Sequence, residues 1–200
     1  ALAALVLLAA PVSRVGAVTL YGPGPHWVDR VRSGSAAFGA HAVVGVDLTF
    51  DGIVDATVEM TGSTEVTRSA ARAGDPVHAA RHRNHIDLEL VAMHLDGTLP
   101  GFGPITLDAG DAVGNQAPDG PLYSQGGSDE VPGDPRRSAD FFDLHMELRL
   151  AGVRLHNVVP LRVVAVIDRL PPIGTPFTLD GGPVPFVTDA GAPVMQVVTA

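Results

Sequence analysis

Two hundred residues are enough for one β domain with a sizeable core, and nothing in the length requires two. With 13 basic against 22 acidic residues the net charge is −9, which argues against a phosphate-backbone partner, so no nucleic acid is expected. Cysteine is absent, which removes disulfides, thiolate metal sites and cysteine nucleophiles.

The first ten residues, ALAALVLLAA, form an apolar run closed by Pro11. The run is shorter than the roughly 18 residues a membrane-spanning helix needs, so no transmembrane span is expected. It suits the hydrophobic part of a secretory signal, and Val15-Gly16-Ala17 offers small residues for cleavage. Residues 1–17 are therefore read as a signal-peptide remnant, and secretion or a cell-surface location is expected. Residues 18–39 read as an N-terminal arm in which Trp27, Val28 and Val31 form one helical turn after Pro25. Residues 40–200 read as a single domain.

Within that domain period-2 alternation dominates. Val44 to Phe50 and Val54 to Met60 alternate around Asp51-Gly52, a hairpin signal. Thr61-Gly62-Ser63 reads as a turn before an edge-like strand from Thr64 to Ser69, and residues 70–83 read as a crossing loop. Ile86, Leu88 and Leu90 share one face, after which the phase slips near Val91 to Met93 and Leu95, as at a β-bulge. Asp96-Gly97 signals another turn, and residues 105–107 a short strand. Residues near 108–137, dense in Gly, Pro, Asp, Asn and Ser, read as a long surface loop.

The clearest pattern follows. Phe142, Leu144, Met146, Leu148 and Leu150 alternate with Asp143, His145, Glu147 and Arg149, which places Leu144, Met146 and Leu148 inward and His145 and Glu147 outward. Ala151-Gly152 turns the chain into a second strand through Val153 and Leu155. Leu161 to Ile167 is apolar and β-branched, as in a strand covered on both faces. Three closing strands, at 175–179, 184–187 and 194–198, complete roughly ten. The expected fold is all-β, an antiparallel β-sandwich or open barrel with little helix.

Several phrases in the second half, Gly101-Phe102-Gly103-Pro104, Ala139-Asp140-Phe141-Phe142-Asp143, Leu155-His156-Asn157, Pro160-Leu161, Pro171-Pro172-Ile173-Gly174 and Pro185-Phe186, resemble in order and spacing a group of uncharacterised secreted bacterial proteins. That resemblance implies an exported, sometimes surface-anchored β-rich chain and carries no catalytic residues.

The eight histidines are the main chemical candidates. His82, His85, His94 and His145 lie on or beside strands that also carry Asp87, Glu89, Asp143 and Glu147, a donor set that suits zinc. Solvated polar faces explain the same residues without an ion. Asp96, Asp108, Asp111, Asn115 and Asp119 would suit calcium by type, but not in EF-hand order, and turn chemistry accounts for them. Gly34-Ser35-Ala36 and Gly127-Ser128-Asp129 lack the strand-to-helix setting of a nucleophile elbow. Asp143 and Glu147 would pair carboxylates for glycosidic chemistry only at a suitable separation. His156-Asn157 is expected to hold a strand end by specific hydrogen bonds. No cofactor or catalytic residue is assigned. The reading is an exported, non-enzymatic structural or binding domain with an unidentified surface or matrix partner; the alternative is a metal-dependent hydrolase using the strand-borne histidines.

Overall fold

A computed structural model describes residues 5–6, 19–73, 84–110, 116–117, 120–121, 124–172 and 174–199. Twelve strands carry it: β1 Gly34–Asp47, β2 Ala56–Arg68, β3 Asn84–Leu99, β4 Gly103–Gly110, β5 Ser124–Val131, β6 Asp134–Leu144, β7 Met146–Leu150, β8 Val153–Asn157, β9 Leu161–Ile167, β10 Pro176–Leu179, β11 Val184–Thr188 and β12 Pro193–Thr199. Helix among the described residues is limited to a 3-10 turn at Val28–Arg30. The all-β, antiparallel expectation holds. No described helix is long and apolar enough to cross a membrane.

Pairing is continuous in the order β10, β9, β6, β5, β3, β2, β1, β12, β11, β8, β7, β4, and β4 then returns to β3. Of the two expected forms the sheet takes the barrel-like one, with a closed circuit of eight strands, β3, β2, β1, β12, β11, β8, β7 and β4. Strand β3 belongs to two lobes: residues 92–99 pair with β4, and residues 85–90 pair with β5. The division repeats outward, β7 on β4 beside β6 on β5, then β8 on β7 beside β9 on β6. One lobe is the closed barrel; the other is a curled extension of β5, β6, β9 and β10.

The bulge foreseen near Val91 is present. Glu65 of β2 faces Ala92 and Val66 faces Leu90, so Val91 is passed over. Adding one residue there keeps Ile86, Leu88 and Leu90 on the same buried side as Met93 and Leu95. The turn at Ala151-Gly152 is also present, both residues having positive φ (49° and 80°) between paired Leu150 and Val153.

Other expectations are corrected. Neither Thr61-Gly62-Ser63 nor Asp96-Gly97 turns the chain, since β2 and β3 run straight through. Gly62 lies between Ala40 and Leu95 in neighbouring strands, and a Cβ there would sit 1.9 Å from the His94 carbonyl oxygen; the glycine serves close strand approach. The long loop expected at 108–137 shrinks, because β4 extends to Gly110 and β5 and β6 occupy 124–131 and 134–144. Gly126 belongs to β5 because a Cβ there would lie 2.3 Å from the Phe141 carbonyl oxygen. Strand β9 is covered on one side only, with Val166 54% exposed, since none of the described residues packs over its outer face there. Strand β1 begins at Gly34, so the arm ends earlier than residue 39.

In the arm, Trp27, Val28 and Val31 are buried as the turn requires, and Trp27 Nε1 donates to the Arg136 carbonyl at 3.1 Å. Leu5–Val6 pairs with Phe177 and Pro176 beside β10. The rest of the expected signal segment lies outside the described residues.

Leu144, Met146, Leu148 and Leu150 are all buried, as the alternation demands. Glu147 is the exception: it lies on the opposite side from Leu148 yet is only 4% exposed. Arg149 and Arg154 cover it, with N···O distances of 2.5 and 3.3 Å. Leu148→Asp should abolish folding, because it puts an unpaired carboxylate into the core. Glu147→Ala should cost about 1–2 kcal/mol, more than an open surface position would. Urea denaturation followed by circular dichroism checks both, and a folded Leu148→Asp protein would refute the inside-outside assignment.

Candidate functional site

Inside the curled extension the inward residues of β1, β2, β3, β6, β9 and β10 do not close completely. Val66, Leu88, Leu90, Phe142, Val163 and Phe177 are among the walls of a cavity there. The cavity has a volume of about 40 Å³. A smaller apolar cavity, bounded by Ala42, Leu95, Leu107, Met146 and Val197, lies in the barrel lobe, and Met93 and Leu144 line both. Phe142 and Phe177 meet with ring centroids 5.9 Å apart and tilted 55°, which fixes one wall.

One carboxyl group interrupts this apolar lining. Asp140 is 2% exposed, and neither of its oxygens has a hydrogen-bond partner of normal geometry. Strand alternation puts it there, because Ser138, Asp140, Phe142 and Leu144 all point inward from β6. The hydroxyls of Ser128 and Ser138 lie beside it and bond to each other at 2.5 Å. Burial pushes the Asp140 carboxyl up to about 7; the two serine hydroxyls offset part of that, and the negative charge of Asp129 adds to it. Arg68 is the other ionisable residue of the lining, and its Nε donates to the Arg32 carbonyl at 3.1 Å while its guanidinium lies 5.2 Å from the centre of the Tyr21 ring.

The chain ends that frame the cavity are tied by side chains. Asn157, fully buried at the end of β8, accepts from Met146 N at 2.7 Å and donates to the carbonyls of Leu144 and Val159 at 2.8 Å each. This is the strand-end role expected of His156-Asn157. Ser124 Oγ accepts from His145 N at 2.9 Å and donates to His145 O at 3.2 Å. Between them the two side chains satisfy the backbone where β6 passes into β7.

The histidines are not gathered. His85 bonds through its two ring nitrogens to Asp129 at 2.8 Å and Asp87 at 3.0 Å, and these carboxylates, Asp129 foremost, raise its pKa. His94 bonds to Asp108 at 2.6 Å, with Asp96 at 3.3 Å, and its pKa is raised mainly by Asp108. Nine residues of extended β3 separate the two rings' positions, roughly 30 Å along the strand. His145 Nδ1 is buried without a partner, and burial lowers its pKa against the opposing pull of Asp143. His82 lies outside the described residues, as do Asp111, Asn115 and Asp119.

Asp143 is held by Arg162 in a two-pronged pair at 2.7 and 2.6 Å, and Glu147 lies under its arginines. Ser35 and Ser128 are on strands β1 and β5, where loops were expected. A group that was not foreseen combines His26, Asp29 and Glu130, whose ligand atoms lie within 4.8 Å of one another. His26 Nδ1 is 3.2 Å from Glu130, and Asn84 donates to Asp29, so these contacts fasten the arm to β5 and β3.

With that geometry in place, comparison with solved structures gives one informative match. The chain shares its fold with DynF. That protein is from the dynemicin biosynthesis pathway of Micromonospora chersina, and the match has a TM-score of 0.70 at 19% identity, spanning 98% of this chain and 92% of that one. No protein-family model and no curated protein matches the sequence. The likeness extends over both lobes, so the cavity-bearing extension belongs to the shared fold.

The inward position of Asp140 is legible in the strand's alternation. Stepping back by twos from Leu144 through Phe142 reaches Asp140 and Ser138 on the inner face.

Because the native state holds the Asp140 proton more tightly than the unfolded chain, its contribution to stability is complete below pH ~4, falls as pH rises to ~7, and is absent above. The change amounts to as much as ~4 kcal/mol. Urea denaturation across this range should show the decline in the wild type and a profile flattened by that amount in Asp140→Leu. Parallel profiles would mean that the carboxyl ionises as freely in the native state as in water.

Proposed function

We propose that the chain is a non-enzymatic binding domain of an exported bacterial protein, and that it holds a small, mainly apolar molecule inside the curled extension of its sheet. The observation that carries this reading is the incompletely filled cavity walled by Val66, Leu88, Leu90, Phe142, Val163 and Phe177. Well-packed interiors leave few voids larger than a water molecule, whereas ligand sites are concave, mostly apolar and furnished with few polar groups. That DynF comes from a biosynthesis pathway favours a small organic molecule over a matrix polymer as the occupant. Export is supported by the apolar run at 1–10 and the small residues at 15–17.

The neutral fluorophore N-phenyl-1-naphthylamine tests the cavity. Its emission should rise saturably with one site per chain, and Ala36→Leu or Val66→Phe, each enlarging a wall residue, should weaken binding at least tenfold without lowering the melting temperature. Equal binding by the wild type and both filled variants, or none by the wild type, would refute an interior site. Fractionation of the producing cell tests export separately: the chain should be recovered outside the cytosol, and an intact chain confined to the cytosol would overturn that part.

A further inference from the structure

We propose that Asp140 selects what the cavity holds, and that the ligand is an apolar molecule carrying a protonated amine placed against the Asp140 carboxylate. The inference rests on the interior site proposed above and adds the chemistry of its occupant.

Three observations lead to it. Asp140 is part of the lining of a cavity whose other walls are almost wholly apolar, and both its oxygens are buried with no neighbouring donor but the hydroxyls of Ser128 and Ser138. A carboxyl group in such a place is costly unless something supplies donors or positive charge. Among the described residues no cation does so, since Arg68 is engaged with Arg32 and Tyr21, and the charge felt at Asp140 is the negative one of Asp129. The Ser128 and Ser138 hydroxyls bond to each other, which leaves one O–H between them to donate to the carboxylate, so acceptor lone pairs still outnumber donors in this corner.

An ammonium group answers this corner with up to three donors and a compensating charge. An alcohol brings one donor and no charge, and a carboxylate brings charge of the wrong sign. The apolar part of the ligand lies along Leu88, Leu90, Phe142 and Val163. A chain longer than this space admits would reach Met93, whose unbranched side chain lies between the two cavities and can swing to join them.

Three probes with one tail, n-octylamine, n-octanol and n-octanoate, separate these heads. Each is titrated calorimetrically at pH 7.5 into the wild type, Asp140→Asn and Asp140→Leu, and each is also used to displace N-phenyl-1-naphthylamine, which confines the readout to the interior. Octylamine should bind the wild type at least tenfold more tightly than octanol, with octanoate weakest. In Asp140→Leu octylamine should lose at least tenfold while octanol is kept or improved, and Asp140→Asn should lose the preference for the amine. If octanol and the fluorophore bind but octylamine gains nothing over octanol, or is unaffected by Asp140→Leu, the assignment to Asp140 fails and the interior site stands. Octanoate binding best would overturn it in favour of an anionic ligand. If neither the fluorophore nor any of the three probes binds, the interior site itself fails.

Discussion

The two-lobed sheet depends on one interruption of the backbone ladder, at His145. On its N-terminal side β6 pairs with β5 and β9; on its C-terminal side β7 pairs with β4 and β8. A strand that changes both partners within two residues leaves buried amides and carbonyls outside the regular ladder, and these must be satisfied or the junction would open. Asn157 and Ser124 do this, one reaching Met146 N and Leu144 O, the other both backbone groups of His145. Asn157 has the amide's donor and acceptor ends both in use, so neither aspartate nor leucine could replace it. Leu144, beside this junction, and Met93, beside the bulge of β3, line the cavities of both lobes.

A second fixed point is Asp47 at the end of β1. Its carboxylate accepts from the amides of Thr49, Phe50 and Gly52 at 2.8, 2.7 and 2.7 Å and from Gln196 Nε2 of β12 at 2.6 Å. Burial would raise its pKa, yet these four donors together hold it well below the ordinary carboxylate range. The turn signalled by Asp51-Gly52 is thus tied both to its own strand and to the strand that follows β1 around the barrel. Asp47 and Asp140 are both almost fully buried aspartates. They differ because Asp47 has four donors built into the fold, whereas Asp140 has only the hydroxyls of Ser128 and Ser138 beside it.

Alternation made the strands legible, and most of all where inward Leu and Met faced outward Asp, His and Arg, as between Phe142 and Leu150. The slip at Val91 was readable for the same reason: the apolar phase changed by one residue without any turn residue present. Glycine misled. At Gly62 and Gly126 the residue serves close approach of neighbouring backbone and not reversal of the chain, and the two uses look identical until the neighbouring strands are in place. Glu147 misled differently, since its concealment comes from Arg149 on its own strand and Arg154 across the hairpin, a pairing that needs the register. His85 and His94 were rightly placed on a strand, while His145 falls in the break between β6 and β7; whether they converge depends on distances along β3 that composition cannot express.

Asp140 ties the readable to the unreadable part. Its parity is as plain as that of Leu144, yet a charged residue at an inner position contradicts the very rule that reveals the position. Such a conflict between local chemistry and global burial marks places where a chain gives up stability for something other than folding. Leucine at 140 would complete the apolar wall and remove the cost of burying a carboxyl group. Retaining aspartate in the wall, with Ser128 and Ser138 bonded to each other beside it, keeps one polar corner in a cavity that is otherwise indifferent to the orientation of what enters. A purely apolar cavity holds its occupant by area alone and in many poses. On the proposed reading, one buried acceptor fixes which end goes where, and the desolvation that makes a lone carboxylate costly strengthens its contact with a donor.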